Sequence, residues 1–175
     1  MNKILVAIDG AHHSDKTLRS AAEMACEKGS ELVILFACSQ NAPNEKQLEF
    51  AEKTCGRHFR NLVTGKELPT FSVTDSDGIK SISEYMQARE KLCKLYGTDV
   101  LEKAVTTARK AGANAISTRM EKGEVVKTIL DVASKETADT IVLGNCSKSG
   151  FARFFSGCAA KEVLKKASCN AIIVD

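Results

Sequence analysis

Tryptophan is absent and aromatic residues make up only 5% of the 175-residue chain. Stacking platforms for single-stranded nucleic acid are therefore scarce. Charge of one sign is also lacking, since 25 basic residues face 22 acidic ones and leave a net charge of +3. Phosphate-backbone binding needs clustered positive charge, which so small an excess does not supply. No apolar run approaches the roughly 20 residues that span a bilayer. The short apolar stretch from Ile4 to Ile8 meets Asp9 at once, unlike the core of a secretory leader. Neither a nucleic-acid partner nor a membrane is expected, and the expected location is cytoplasmic. Paired cysteines are missing too: the seven, at 26, 38, 55, 93, 146, 158 and 169, form no CxxC. An odd, scattered set argues against a disulfide scaffold or a zinc site, and predicts reduced, mostly buried thiols without a metal motif.

What is present is the balance of a globular protein, 43% hydrophobic and 27% charged. Lys3 to Ile8 is apolar at nearly every position, as suits a strand covered on both faces. Ser14 then reads as an N-cap, followed by Leu18, Ala21, Ala22 and Ala25 at helical spacing and Gly29 as a stop. Glu31 to Ala37 is the second buried strand. The rhythm resumes with a helix capped by Thr98 or Asp99 and ended by Gly112, a strand from Ala115 to Met120, and a helix carrying Val126, Ile129, Leu130 and Ala133. Thr140 to Leu143, a helix from about Gly157, and Ala171 to Val174 complete the series. This alternation predicts an α/β fold: a doubly wound, five-stranded, mostly parallel sheet sandwiched by helices.

Residues 40–97 interrupt the pattern. Leu48, Ala51, Cys55, Phe59 and Leu62 form one helical stripe, and Ile82, Tyr85, Met86, Leu92, Cys93 and Tyr96 suggest another helix. The expected organisation is a single domain over residues 1–175 with a helical insertion at 40–97 after the second strand. Long insertions in compact domains are more often interactive than idle, so a protein partner is expected there.

In an open parallel sheet, ligands bind beyond the carboxyl ends of the strands, where the strand order reverses. Three segments end strands in that way: Asp9-Gly10, Cys38-Ser39, and Gly144 to Gly157. The last contains Gly144-Asn145-Cys146-Ser147-Lys148-Ser149-Gly150 and re-enters a helix at Gly157-Cys158. Amides at a helix amino end can hold phosphate. The spacing matches neither a P-loop nor the G-x-G-x-x-G fingerprint.

Ile4-Leu5-Val6-Ala7-Ile8-Asp9-Gly10 with Ser14, and Asp139-Thr140-Ile141-Val142-Leu143-Gly144 through Val163-Leu164-Lys165-Lys166 to Ile172-Ile173-Val174, resemble the opening and close of the universal stress proteins. The resemblance covers residues 1–38 and 98–175. It implies the family's five-stranded α/β sandwich, a regulatory or binding role without catalysis, and a homodimer. Its ATP-binding branch carries G-x2-G-x9-G-[ST] after strand four. Here the frame is kept, but Ser147 stands for the second Gly and Cys158 for the hydroxyl residue. Ser147 adds a Cβ, and Cys158 offers only a weak thiol donor, so the loop is expected to hold ATP or AMP weakly. The resemblance places nucleotide contacts at Asp9, Gly10, Cys38 and Gly144. It extends them to Ser147, Gly157, Cys158 and Ala159. The C-terminal strand is the expected dimer edge, since an unpaired edge invites a partner strand.

Other readings fare less well. A phosphoreceiver domain needs an acidic pair after strand one and an Asp after strand three, where Gly10 and Met120 stand. A hydrolase needs a nucleophile with a base; adjacent His12 and His13 read as surface residues, and His58 lies on the insertion without a constellation. Cys146 and Cys158 flank the loop, but their spacing is not that of a redox pair. The main alternative is a nucleotide-free dimer whose insertion binds a protein.

Overall fold

The computed structural model describes residues 2–10, 12–39, 41–66, 76–145 and 159–174. Its elements are β1 (Lys3–Ile8), α1 (His12–Lys28), β2 (Glu31–Cys38), α2 (Glu45–Cys55), α3 (Arg57–Thr64), α4 (Ser76–Lys110), β3 (Ile116–Lys122), α5 (Val125–Lys135), β4 (Thr140–Gly144), α6 (Ala159–Lys166) and β5 (Asn170–Val174). The chain separates into two compact units, Met1–Gln40 with Asp99–Asp175, and Asn41–Thr98. Among the described residues no helix is long and apolar enough to cross a membrane.

The first unit holds a five-stranded sheet in the order β3-β2-β1-β4-β5. Every pairing in it is parallel. The α/β expectation is met, with the helices α2, α3 and much of α4 inserted between β2 and β3. The apolar runs are strands because both sheet faces are covered, and side chains alternate between those faces. On one face Leu5, Val33, Leu35, Ile141 and Leu143 pack with Val125, Val126, Ile129 and Val132 of α5 and Ala160 and Val163 of α6. The alternate residues Ile4, Val6 and Ile8 are equally buried, and α1, whose Leu18, Ala21 and Ala22 are buried, packs on β1, β2 and β4. Alanines on the inner side of α1 let its axis approach the sheet closely.

At the amino ends of the strands a polar clamp closes this core. Glu136 caps the end of α5 and accepts from Lys3 Nζ at 2.8 Å and Arg119 Nε at 2.6 Å. Lys3 also faces Glu31 at 3.7 Å, and Glu31 accepts from the Ser117 hydroxyl at 2.7 Å. The hydrogen bond from Lys3, reinforced by Arg119, holds the Glu136 carboxyl below the usual glutamate range. Reciprocally, the bond to Glu136 raises the Lys3 ammonium above its ordinary value. The next residue, Thr137, is the only described non-glycine with a positive φ, 52°.

The second unit departs from the sequence reading at two breaks. The stripe expected to form one helix is cut at Gly56, whose φ of 87° ends α2 and starts α3. Arg60 binds Glu52 at 2.8 Å and Glu45 at 3.1 Å, which ties the corner across that break. Asn44 and Gln47 form a capping box at the start of α2. Phe50 meets Tyr96 edge-on at 5.4 Å, and Ala51, Val63, Ala88, Leu92 and Tyr96 are buried. Conversely, no helix starts at Thr98 or Asp99, because α4 continues through both. Gly97 is buried and Leu92, Tyr96 and Val100 prolong one apolar stripe, which outweighs the roughly 1 kcal/mol that glycine costs a helix. Asp99 instead pairs with Lys103 one turn on, at 2.6 Å.

Candidate functional site

From β1 the chain runs outward through β2 to β3, whereas β4 and β5 lie on the other side, so the order reverses between β1 and β4. A crevice for ligands opens at such a reversal, at the carboxyl ends of the two strands. Asp9 and Gly10 leave β1 there, and Gly144 ends β4. Gly10 has a φ of 77°, which suits a residue without a Cβ at the turn into α1.

Two hydroxyls of α1 support these strand ends. Ser14 donates its hydroxyl proton to Asp9 Oδ1 at 2.5 Å and accepts the Asp9 backbone N–H at 3.4 Å. The helix begins at His12, before the expected cap, so Ser14 sits in its first turn and bonds back to the strand. One turn on, Thr17 is 2% exposed, and a Cβ at Gly144 would lie 2.9 Å from its Oγ1. Gly144 is therefore required by the close approach of α1. Sequence reading missed both roles. Spacing supplies a trace of them, since residues 14 and 17 share a helix face.

Cys38 closes β2 next to β1; it is 8% exposed, and its carbonyl accepts Gly123 N–H at 3.1 Å. Its sulfur is disulfide-bonded, which corrects the expectation of reduced thiols throughout. Nor are the thiols of the described residues mostly buried: Cys26 is exposed, and Cys55 and Cys169 are half-buried free thiols. Ala159 is buried at the start of α6. Ser147, Gly157 and Cys158 lie outside the described residues, as does Cys146. Asp9, Gly10 and Gly144 thus meet at adjacent strand ends, with Cys38 one strand away.

The amino end of α5 is capped by its own sequence. Glu124 Oε1 accepts from Val126 N–H at 2.9 Å and Oε2 from Lys127 N–H at 2.8 Å, so these two amides in the first turn of α5 are already satisfied. Asp9 likewise places an acceptor beside α1, where it receives donors and repels phosphate. Among the described residues no group of three or more His, Cys, Asp or Glu could hold a metal ion.

The model of the universal stress protein family matches residues 1–175. Universal stress protein YxiE of Bacillus subtilis is 30% identical over 175 residues, 99% of this chain and 98% of that protein. Universal stress protein MJ0531 of Methanocaldococcus jannaschii is 34% identical over 84 residues, 48% of this chain and 49% of that protein. Among solved structures, universal stress protein UspA from Lactobacillus plantarum superposes with a TM-score of 0.65 at 18% identity, covering 99% of this chain and 97% of that one. A universal stress protein in complex with cAMP gives 0.61 at 18% identity over 99% of this chain and 97% of that one. One from Archaeoglobus fulgidus in complex with dAMP gives 0.56 at 20% identity over 100% and 98%. The structural likenesses establish the shared fold, and the match along the full length establishes descent: this chain belongs to the universal stress protein family.

Proposed function

We propose that this protein is a cytoplasmic, non-enzymatic regulatory module that binds an adenine nucleotide at the crevice between β1 and β4, AMP more readily than ATP. The observation that carries the reading is the Asp9 carboxylate, fixed by Ser14 beside a side-chain-free Gly144 at the point where the strand order reverses. A carboxylate there accepts from hydroxyl or amino groups, which a nucleoside supplies. Solved family members hold cAMP and dAMP, which supports the ligand class. The weaker hold on ATP rests on Ser147 and Cys158 in the phosphate-loop frame.

Calorimetric titration with ATP, AMP and adenosine tests the proposal. Ser147→Gly with Cys158→Ser is expected to bind ATP at least about tenfold tighter than wild type, one regained hydrogen bond being worth roughly 1.4 kcal/mol. Adenosine should show no such gain. Mass spectrometry of small molecules released from the purified protein provides an independent check. Absence of binding by AMP, ATP and adenosine alike would refute the nucleotide reading.

A second reading, a nucleotide-free dimer that engages a protein through residues 40–97, is favoured by two exposures. β5 is an edge strand with Ile172 37% exposed, and the insertion displays Ile79 and Met86 at 59% and 64%. Both readings expect a dimer through β5. Sedimentation at micromolar concentration should give a dimer, and Ile172→Pro, which removes a ladder donor, a monomer or an unfolded chain. A wild-type monomer across that range refutes the dimer.

A further inference from the structure

We infer that Glu136 is an acid-sensitive latch on β3: protonation of its carboxyl frees this edge strand from the sheet while β5, the opposite edge, stays paired. The two edges are held differently. Each pairs on one side, β3 with β2 and β5 with β4. Neither strand contains a buried residue, but β5 packs Ala171 and Ile173 against the apolar core shared with α5 and α6. Among the described residues, the side-chain hydrogen bonds from β3 to other elements end on carboxylates. Arg119 Nε donates to Glu136 Oε1 at 2.6 Å, and the Ser117 hydroxyl donates to Glu31 Oε1 at 2.7 Å.

Glu136 follows the last residue of α5 and is shielded from solvent over most of its side chain. Its Oε1 receives Arg119 of β3 and its Oε2 receives Lys3 of β1, so one carboxylate joins the edge strand to the middle strand, with β2 between them. The charges around it are these two cations and, beyond Lys3, two more acids. Glu31 of β2 lies 3.7 Å from Lys3 Nζ, and Asp139 Oδ2 accepts the Lys3 backbone N–H at 2.8 Å.

A proton on Glu136 leaves a neutral carboxyl, and the two cations respond unequally. Lys3 keeps Glu31, whereas Arg119 loses its carboxylate and is left facing the like charge of Lys3. The strand that carries Arg119 is therefore the one released. The bonds from Lys3 and Arg119 hold the Glu136 carboxyl below its ordinary 4.5. The latch is shut above that value and opens as pH falls through the lower folded one. Opening frees the outer edge of β2, whose residues from Leu32 to Cys38 are buried, and a free edge is a template for another strand.

The test is hydrogen exchange at single amides of the full chain, expressed as protection factors so that the intrinsic effect of pH is removed. From pH 6 to pH 3, protection in the β2–β3 ladder should fall about tenfold, the worth of a charge-assisted bond, and in the β4–β5 ladder less than about twofold. Glu136→Gln and Arg119→Gln should each lose the β2–β3 protection already at pH 6 and respond little to acid. Arg119→Lys, which keeps the charge, should retain both the protection and the response. Equal losses in the two ladders would mean that acid unfolds the sheet as a whole. An acid response undiminished in Glu136→Gln would place the sensitivity in another group. Either result overturns the inference, as does β2–β3 protection that stays constant down to pH 3.

Discussion

At the amino ends of the strands Lys3, Glu31, Arg119 and Glu136 satisfy one another, with Glu136 only 12% exposed and bonded to two cations. At the carboxyl ends the Ser14 hydroxyl bonds Asp9, and the neighbouring positions are Gly10 and Gly144. One end of the sheet turns its polar groups on one another; the other has glycine at two strand-end positions, one of them packed against Thr17. On the proposed reading, the contrast separates stability from function within one sheet. Polar groups that saturate each other fix a fold, whereas ligands enter parallel sheets at the carboxyl ends of their strands.

Three substitutions test this contrast. Gly144→Ala should have the largest effect, because its Cβ would meet buried Thr17 Oγ1 at 2.9 Å. We expect a loss of about 1–3 kcal/mol in urea denaturation, the usual penalty for overpacking, together with weaker AMP binding. Adding Thr17→Ala should recover part of the stability, and a failure to do so would show that the close approach is not what constrains residue 144.

Glu136→Gln comes next. It should cost about 1–2 kcal/mol through weakened charge-assisted bonds and leave AMP affinity unchanged. The dependence on pH follows from the direction of the shift. The carboxyl is lowered from its ordinary 4.5, so its contribution is complete above that value and drains away as pH falls through the lower folded value. The stability gap between wild type and Glu136→Gln should therefore narrow in acid. Lys3 behaves in the opposite sense: raised from 10.5, it contributes below that pH and loses its contribution as pH climbs through the higher folded value. A gap constant from neutral pH down to pH 3 would remove the clamp from the account.

Thr137→Gly should give the smallest change, and a gain. A β-branched residue at a φ of 52° is strained. Relief, partly offset by the entropy of glycine, should stabilise by about 0.5–1 kcal/mol. Thermal melts can resolve this, and ligand binding should not respond.

Strands were legible because runs such as Leu32 to Leu35 are apolar at every position, which only burial on both faces explains. The placement of Asp9, Gly10 and Gly144 at strand ends was legible because the strands themselves were. Helix limits around Gly56 and Gly97 were not: each glycine weakens a helix locally, yet one breaks it and the other is absorbed by packing. The bond from Ser14 to Asp9 was invisible because capping explains a serine there equally well. The clamp was hidden by distance along the chain, since Lys3 meets Glu136 133 residues away.

The insertion has a consequence for the closing of the sheet. β2 ends at Cys38 and β3 begins only at Ile116, yet the two pair along seven residues from Leu32 to Cys38. Each doubling of a connecting segment adds only about 0.6 kcal/mol of chain entropy to the closed state. Long-range parallel pairing is nonetheless slow, because the connection must be ordered before the ladder rewards it. Residues 41–98 therefore weigh little on how firmly the β3 edge is held and much more on how long it takes to arrive.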